Sequence, residues 1–482
     1  SDRVPYHGPM EPLYINGQWI EPDSGGIRVT SPIDGSELGT VGAGTAEHVD
    51  DAVAGTVSAS DALREMNVHR RADAVEAAMD VIEDRADEIT ETMTSEVGKT
   101  RGEAREEVAS AVRSGRAYAA DAVRLSGDVT RSRFDGRHNF TRREPYGPAG
   151  IITPWNYPFE IPTDHLSAAL VAGNPVTWKP ASEAALTATH IAKAFAETSL
   201  PEGAFNFVPG AGGTVGAALS GHRDVRLLAF TGSTDVGQGI AAAAAERSAE
   251  CLLELGGKDP VLVLDDADVA RAADAIVLGS NYNCGQSCSG TERVIATEPV
   301  YDELVSAVTE RTEELTVGDP REEETDVGPP INDDVKSTTE RQITAAVEAG
   351  ARVTTGGSVG DRYIEPTVLA DVTPEMRAAT EETFGPLTPI IPVADREEAV
   401  EIANDTRYGL QAAVFTESIR DAHQVIDGLR SGGVVVNATN NVWEHQLPFG
   451  GVKQSGSGGE YKGRWHLDSM THLKSVAIDY SD

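Results

Sequence analysis

The feature that most constrains the fold is a regular alternation of short apolar runs with alanine-rich runs, which begins near residue 147. The apolar runs have the length of buried strands and include AGIIT, NPVTWK, FNFVP, VRLLAFTG, LLELGG and PVLVL. The alanine-rich runs between them have the composition of helices. Since parallel strands need a long crossover, usually a helix, this alternation predicts βαβ units. The sequence therefore predicts an α/β fold with a parallel sheet.

The rest of the chain divides into segments of different pattern. Residues 12–42 predict short strands and turns, residues 45–125 predict helices, and residues 126–145 predict a hairpin. A second alternating set of strands and helices runs from about residue 265 to 442, and the late segment HLKSVAIDY predicts a final strand. Because 482 residues are too many for one core, we expect two or three domains.

The charge of the chain argues against two classes of partner. There are 77 acidic residues against 40 Lys and Arg, a formal net charge of −37, and the acids are spread over every segment. Nucleic acids and anionic membranes are bound by clustered cations, so we expect neither as a partner. A dispersed acidic surface is typical of proteins that work at high salt, where screening relieves self-repulsion. We therefore expect a salt-adapted, halophilic source.

The compartment is predicted from three further features. The chain has three cysteines, too few for a disulfide framework, and its first residues have no signal-peptide pattern. No stretch approaches the ~18 apolar residues that span a bilayer. We expect a cytoplasmic protein.

The segment NYNCGQSCSG, residues 281–290, contains the principal candidate for chemistry. Cys288 lies among Gly, Ser and Gln, in a loop whose backbone N–H groups can face the sulfur and favour the reactive thiolate. The alternative is a small buried residue, which is the commoner case for an isolated cysteine. Cys284 lies four residues earlier, but no His/Cys cluster completes a metal site, so we predict no metal.

Other candidate residues stand at the ends of predicted strands, where open α/β sheets bind ligands. FTGSTDVG, residues 230–237, puts a Gly-containing turn between a strand and a helix, which is typical of an anion site or of an ordinary turn. Lys179 follows NPVTW. Glu254 is either a charged strand end or a partly desolvated general base. Asn156, in PWNYPF, is either a turn-former or a fixed donor to an oxyanion.

Together and in this order, these segments resemble the aldehyde dehydrogenase superfamily. The resemblance covers almost the whole chain and is carried by PWNYPF, WKPAS, FTGSTDVG, ELGGKDP, GQSC, EETFGP and PFGGVKQSG. It implies a Rossmann-type cofactor domain, an α/β catalytic domain and a β oligomerisation arm. The implied boundaries are 1–124 and 145–256 for the cofactor domain, 257–446 for the catalytic domain, and 125–144 with 447–482 for the arm and C-terminal tail. The arm implies a homodimer or homotetramer.

The resemblance also implies an activity, the oxidation of a small aldehyde to its carboxylic acid with NAD(P)+ through a thiohemiacetal and a thioester on Cys288. Asn156 and the Cys288 N–H would form the oxyanion hole, and Glu254 would activate the deacylating water. Lys179 would hold the adenosine ribose, and the resemblance places it among the catalytic residues as well as the cofactor-binding ones. The residues implied in cofactor binding are Ile152, Thr153, Pro154, Trp155, Lys179, Ser182, Gly212, Gly216, Phe230, Thr231, Gly232, Ser233, Leu255, Gly256, Glu382 and Phe384.

The same resemblance assigns individual residues to individual parts of the cofactor. Gly212 and Gly216 would pack near the adenine, and Gly232 with Ser233 would cradle the pyrophosphate. Glu382 would bind the nicotinamide ribose, and Phe384 would lie against the nicotinamide. The implied substrate pocket contains Phe159, Trp443 and His445, and Cys284 has no implied function beyond structure.

The sequence departs from the family pattern at two places. Ser182 lies where NAD-preferring relatives often carry Glu; serine does not repel a 2′-phosphate, so NADP is slightly favoured over NAD, although Glu183 is adjacent. Gly459 replaces the usual Arg after the PFGG segment. The tail resembles members that oxidise small hydroxy- or semialdehydes. A carboxylated substrate would want Arg or Lys in the pocket, and the sequence identifies none.

Two alternatives share the scaffold. The first is an acylating, reductase-like relative that produces acyl-CoA, and such relatives tend to lack the water-activating glutamate. The second is a non-enzymatic structural member, whose mark would be loss of the nucleophile. Glu254 and Cys288 are both present, which favours the dehydrogenase.

Overall fold

The computed structural model describes residues 9–441, 443–458 and 461–481. Its N-terminal part consists of two hairpins followed by four helices, which confirms the order predicted for this segment. Capping boxes begin α1 at Thr45 and α4 at Thr100, so the first N–H groups of both helices are satisfied locally. The elements are β1 (Leu13–Ile15), β2 (Gln18–Ile20), β3 (Gly26–Thr30), β4 (Glu37–Gly42), α1 (Ala46–Glu65), α2 (Val68–Asp84), α3 (Ala86–Val97) and α4 (Arg101–Ala122).

The predicted hairpin follows α4. It consists of β5 (Val129–Arg131) and β6 (Arg137–Pro145), which pair antiparallel. Gly136, just before β6, has φ +72°, a left-handed conformation that glycine adopts without steric cost.

The first large sheet has seven strands in the order β11-β10-β7-β8-β9-β1-β2, and its first five strands are parallel. Every residue of β7, β8 and β10 is buried, which is why these strands read as mainly apolar runs. Its βαβ part contains β7 (Ala149–Ile152), α5 (Glu160–Ala172), β8 (Val176–Lys179), α6 (Ala185–Ala196), β9 (Phe205–Phe207), α7 (Ala217–Gly221), β10 (Leu227–Thr231), α8 (Thr234–Ala245) and β11 (Glu250–Glu254).

The second large sheet also has seven strands, in the order β14-β15-β16-β13-β12-β17-β18, and β14 is its one antiparallel member. It confirms the second alternating set. The elements are β12 (Pro260–Val263), α9 (Val269–Asn281), β13 (Arg293–Thr297), α10 (Glu298–Glu313), α11 (Asp333–Glu348), β14 (Arg352–Thr355), β15 (Thr367–Ala370), α12 (Arg377–Thr380), β16 (Leu387–Val393), α13 (Arg396–Asn404), β17 (Gln411–Phe415), α14 (Ile419–Gly428) and β18 (Gly433–Val436).

The C-terminal segment forms α15 (Gly463–Ser469) and β19 (Thr471–Asp479). β19 pairs with β6 along its whole length, from Thr471 opposite Pro145 to Asp479 opposite Arg137, in a three-stranded sheet β19-β6-β5. The final strand predicted from the sequence is therefore confirmed, and the α/β class with it. No helix in the described part of the chain is long and apolar enough to cross a membrane.

Candidate active site

Four neighbouring parallel strands of the first sheet end at a common edge. β7, β8, β10 and β11 end at Ile152, Lys179, Thr231 and Glu254. The register pairs Ile152 with Lys179 and Thr231 with Glu254, so the four ends lie side by side. The loops after these strands carry the motifs that the sequence singled out. An open α/β sheet binds its ligands in the crevice beyond such carboxyl ends.

Cys288 lies in the connection between α9 and β13, in the second sheet's part of the chain. The connection bends through three consecutive residues with positive φ, Asn283 (53°), Cys284 (57°) and Gly285 (72°). A Cβ at Gly285 would lie 2.3 Å from the carbonyl carbon of Gly385, so the backbones approach too closely for a side chain. This bend directs the following residues, Cys288 among them, toward the edge of the first sheet.

Asn156 is tied to the segment that carries Cys288. Its Nδ2 donates to the carbonyl oxygen of Gln286 at 3.2 Å. In the opposite direction, Asn283 Nδ2 donates to the Asn156 carbonyl oxygen at 3.0 Å and to the Gln286 carbonyl oxygen at 3.1 Å. These bonds fix the amide of Asn156 beside the loop that carries Cys288.

Cys288, Asn156 and Glu254 line a single cavity of about 700 Å³. Its lining includes the rings of Trp155 and Phe384, which contact each other edge to face with centroids 5.5 Å apart. The remaining lining residues are Pro154, Thr231, Gly232, Ser233, Leu255, Gly256 and Glu382. The structure thus brings together three residues that are far apart in the sequence and that were predicted to share one reaction.

Glu254 is a buried carboxyl group with an unused oxygen. Its Oε2 has no hydrogen-bond partner among the described residues. Burial raises the pKa of Glu254 well above its usual range, and a hydrogen bond from the Gly451 backbone opposes this only in part. A carboxyl group with a raised pKa and a free oxygen has the properties of a general base.

The pKa of the Cys288 thiol differs from the expected one. The side chain is partly exposed to the cavity, but burial raises its pKa far above the usual range, and the carboxyl groups of Asp259, Glu254 and Glu382 raise it further. The Ser289 N–H lowers the pKa by a smaller amount. The expectation that the surroundings favour the thiolate is therefore wrong for the protein by itself. The prediction considered the local loop, whereas the tertiary fold encloses the sulfur and adds three carboxyl groups.

A larger cleft of about 1370 Å³ runs along the strand ends. Twelve of the sixteen residues predicted to bind the cofactor line it, namely Ile152, Thr153, Pro154, Trp155, Lys179, Ser182, Gly212, Gly216, Phe230, Thr231, Gly232 and Ser233. The other four, Leu255, Gly256, Glu382 and Phe384, line the cavity around Cys288. Since Pro154, Trp155 and Thr231 line both, the two spaces adjoin.

Several features of this cleft fit a dinucleotide. The N-cap residue of α8, Ser233, makes no side-chain cap hydrogen bond, so the first N–H groups of the helix are available to an anion such as a pyrophosphate. A Cβ at Gly212 would meet no atom within 4 Å, which leaves space for a flat ring. At Gly256 a Cβ would come within 2.6 Å of the Glu382 carboxylate oxygens, so its absence keeps this carboxylate close to the backbone.

Lys179 and Ser182 lie at the adenosine end of the predicted site. Lys179 is buried, its Nζ donates to the Pro180 carbonyl oxygen at 2.8 Å, and burial lowers its pKa to about 8, although Glu183 opposes the shift. Ser182 Oγ donates to the Gly210 carbonyl oxygen at 3.4 Å. The Lys179 ammonium group and the Ser182 hydroxyl group can each make a further hydrogen bond, to a hydroxyl or a phosphate group.

A second cavity of about 420 Å³ also reaches Cys288 and Glu254. Of the three residues predicted for the substrate pocket, Trp443 lines it. Phe159 and His445, the other two predicted residues, are not among its lining residues. Phe159 is fully buried in the core at the start of α5. The His445 ring stacks edge-on against Tyr118 at 4.6 Å.

The sequence missed two charged residues of this cavity, Glu160 and Lys462. Lys462 Nζ lies 2.5 Å from Glu160 Oε1 and 2.6 Å from Asp164 Oδ2, and the Tyr461 hydroxyl donates to Asp164 Oδ2 at 2.7 Å. Glu160, Tyr461 and Lys462 line the cavity. Because Glu160 and Lys462 are 302 residues apart, no local pattern predicts their contact. Gly459, which replaces the family's usual arginine, lies outside the described residues.

Comparison with known proteins gives the same assignment over nearly the full length. The sequence profile described as "Aldehyde dehydrogenase family" matches residues 19–476. The alpha-ketoglutaric semialdehyde dehydrogenase of Bacillus subtilis (strain 168) is 38% identical over 474 residues, 96% of this chain and 97% of the relative. The alpha-ketoglutarate semialdehyde dehydrogenase of Haloferax volcanii is 38% identical over 479 residues, 97% and 98% of the two chains.

A solved structure also supports the family assignment. The crystal structure of an NADP-dependent enzyme of E. coli superposes with a TM-score of 0.95, at 31% identity and with 98% of each chain covered. The family uses NAD(P), and its members oxidise aldehydes. The protein belongs to the aldehyde dehydrogenase family and is an oxidoreductase that converts an aldehyde to the carboxylic acid.

Proposed function

We propose that Cys288 is the nucleophile, that Asn156 and the Cys288 backbone N–H stabilise the oxyanion, and that Glu254 is the base that completes the reaction. The observation that carries this proposal is the single cavity shared by Cys288, Asn156 and Glu254, which adjoins the cleft along the strand ends. A nucleophile, a fixed donor and a base around one space are the components of covalent acyl chemistry.

The reaction begins when the Cys288 thiol loses its proton, which is released to solvent, and the thiolate adds to the carbonyl carbon and forms a C–S bond. The carbonyl oxygen becomes an alkoxide, and the Asn156 amide and the Cys288 N–H donate to it. Removing one such donor typically slows a reaction by about 10² to 10³. A bound NAD(P)+ supplies the hydride acceptor. When the carbon loses hydride, the C–O bond becomes a carbonyl again, and Cys288 carries a thioester.

Glu254 completes the cycle by hydrolysis. Its unpartnered Oε2 accepts a proton from water, and the hydroxide attacks the thioester carbon as the C–S bond breaks. The products are the carboxylic acid and the regenerated thiol. This role favours hydrolysis over the acylating alternative, in which coenzyme A would take the acyl group. With coenzyme A added, we expect the free acid as the product, and acyl-CoA would support the alternative.

Replacement of the nucleophile tests the proposal. We expect Cys288→Ala to lower aldehyde oxidation by at least about 10³-fold, because no other group can form the thioester. Cys251→Ala is the matched control, since Cys251 lies on β11 and lines neither cavity. The measurement is NAD(P)H formation by both variants, with thermal unfolding as the check on folding. Substantial turnover by Cys288→Ala would contradict the assignment.

For the cofactor, we propose NADP as slightly preferred and NAD as accepted. Lys179 and Ser182 support this, because one is a cation and the other has no charge to repel a 2′-phosphate. Glu183 beside them opposes a phosphate, which limits the expected preference. Gly212 and Gly216 would lie near the adenine, Gly232 and Ser233 at the pyrophosphate, and Glu382 and Phe384 at the nicotinamide riboside. Turnover with each cofactor at equal concentration measures the preference.

The substrate that we propose is a small hydroxy- or semialdehyde. The narrow, largely apolar cavity at Cys288 and Glu254 supports a small substrate. Two semialdehyde dehydrogenases are among the similar proteins.

We also propose the remaining properties that the resemblance implied. The cofactor domain would comprise residues 1–124 and 145–256, the catalytic domain 257–446, and the arm and tail 125–144 with 447–482. A homodimer or homotetramer is supported by the β19-β6-β5 sheet, which has an exposed edge strand, β5. A salt-adapted protein is supported by the charge of −37 and by the Haloferax volcanii relative, and we propose that it is cytoplasmic.

A further inference from the structure

Lys462 has an unusual backbone for a residue with a side chain. Its φ is 82° and its ψ is 143°, in a region that L-amino acids rarely adopt. Such strain persists only where the surroundings over-determine it, and it clusters at ligand sites. Lys462 is buried, and its ammonium group is held by Glu160 and Asp164 at the wall of the cavity that contains Cys288. The strained backbone therefore holds a charge cluster at the wall of the cavity that contains Cys288.

The cluster has more acceptors than donors. One ammonium group serves two carboxylates, and Asp164 Oδ1 is buried with no hydrogen-bond partner among the described residues. Glu160 Oε1 accepts from Lys462 Nζ at 2.5 Å and from Ser110 Oγ at 3.0 Å. Neither bond uses Glu160 Oε2. Asp164 is not among the residues that line the cavity. The acceptor on this wall is therefore Glu160, and a ligand group that complements it must be a donor, as a hydroxyl group is.

The charges of the cavity disfavour an anion. Within the described chain, Lys462 is the one cation that lines it, and two carboxylates already neutralise this cation. A carboxylate brought into the cavity would lose its hydration without gaining an unpaired cation, which is costly. It would also lie close to the carboxylate of Glu160. The remaining walls are largely apolar and include Ile161, Leu255 and Phe449.

We propose that Glu160 makes the enzyme select neutral hydroxylated aldehydes over aldehydes that carry a carboxylate. The Glu160 carboxylate forms an ion pair with Lys462, which also pairs with Asp164. The inference rests on the proposed function and narrows its substrate class. A hydroxyl group of the substrate donates to Glu160, while the carboxylate of a semialdehyde is repelled by it.

Three four-carbon aldehydes test the selection in the wild-type protein. They are 3-hydroxybutanal, butanal and succinic semialdehyde, which are neutral and hydroxylated, neutral and unsubstituted, and carboxylated. At saturating cofactor we expect kcat/KM for 3-hydroxybutanal to exceed that for succinic semialdehyde by about tenfold or more, with butanal between them. The difference should appear mainly in KM, since Glu160 binds the substrate away from the reacting carbon.

Glu160→Gln tests the residue itself. Gln has the shape of Glu and can still accept from Lys462, but it carries no charge. We expect the preference for 3-hydroxybutanal over succinic semialdehyde to fall by about tenfold, through a gain for the semialdehyde and a loss for the hydroxyaldehyde. Glu340→Gln, an exposed change on α11, is the matched control and should leave the preference unchanged. Thermal unfolding verifies that both variants are folded.

The possible outcomes separate the two proposals. A wild-type protein that oxidises succinic semialdehyde as well as or better than 3-hydroxybutanal overturns the selection but leaves the proposed function intact. The selection is also overturned if Glu160→Gln retains the wild-type preference. If the wild type oxidises none of the three aldehydes, the proposed function fails with it.

Discussion

At the scale of single residues, burial changes what Glu254 and Cys288 can do. Both have raised pKa values, because the cavity removes water from groups that would otherwise be ionised more easily. For Glu254 the effect agrees with the proposed role, since a carboxylate with greater proton affinity is a stronger base. For Cys288 it means that ionisation needs help, from a neighbouring base or from positive charge brought by a ligand.

Glu254→Gln separates the two halves of the proposed reaction. We expect a burst of NAD(P)H equivalent to about one turnover per site, followed by steady turnover slowed by at least about 10²-fold, because Gln cannot activate the deacylating water. Stopped-flow absorbance measures both phases. Loss of the burst together with the turnover would instead assign Glu254 an earlier role, such as taking the proton from Cys288.

His165 gives the protein a dependence on pH that is independent of catalysis. It is fully buried, with Nε2 at 3.1 Å from Thr231 Oγ1, and burial lowers its pKa from 6.5 to about 4. Between these values the unfolded chain binds a proton that the folded protein does not. Its contribution to stability is therefore complete above about pH 6.5 and is lost as the pH falls toward 4.

We expect wild-type stability to lose roughly 3 kcal/mol from this group across that interval, and His165→Gln to lose less over the same interval. Urea unfolding at several pH values measures the free energy of unfolding of both proteins. Other buried groups titrate in both, so the difference between the two curves isolates His165. Parallel curves would contradict the assignment.

At the scale of the elements, helix α6 is capped from another helix. Its own N-cap residue, Ala184, has no side chain that can accept a hydrogen bond. Glu96 of α3 accepts instead, from Leu186 N at 2.8 Å, Thr187 N at 2.7 Å and Thr187 Oγ1 at 2.5 Å. A tertiary contact therefore satisfies N–H groups that a local serine or aspartate usually satisfies.

Glu96→Ala should lower the free energy of unfolding by about 2 kcal/mol or more, since it leaves three buried donors without an acceptor. Glu91→Ala on the same helix removes an exposed ion pair with Arg101 and should cost at most about 1 kcal/mol. Denaturant unfolding compares them directly. Equal losses would show that the buried cap contributes no more than a surface pair.

At the scale of the whole molecule, the main feature is the large net negative charge. The net charge of −37 repels itself at low ionic strength, and dissolved salt screens this repulsion. We expect the melting temperature to rise by several degrees between dilute buffer and molar KCl. A neutral osmolyte at equal osmolarity is the control, since it does not screen charge. An unchanged melting temperature would contradict a salt-adapted surface.

The sequence by itself determined most of the fold. The apolar runs and helical periodicities predicted the parallel strands, the helices of residues 45–125, the hairpin of 126–145 and the final strand, because buried parallel strands and amphipathic helices have local signatures. Through their resemblance to the family, the motifs also predicted roles for Cys288, Asn156, Glu254 and the proposed cofactor residues, which the structure gathers into two adjoining spaces. Each of these residues lies in or beside a recognisable local motif.

Only the tertiary structure decided the properties that depend on distant parts of the chain. The Cys288 pKa is raised because burial and Asp259, Glu254 and Glu382 surround the thiol, and none of these neighbours is in its loop. Phe159, which was predicted for the substrate pocket, is buried in the core, and this burial depends on neighbours that its motif does not contain. The pairing of Glu160 with Lys462 joins residues 302 positions apart. Energies of burial and charge are summed over neighbours in space, and a linear pattern does not contain them.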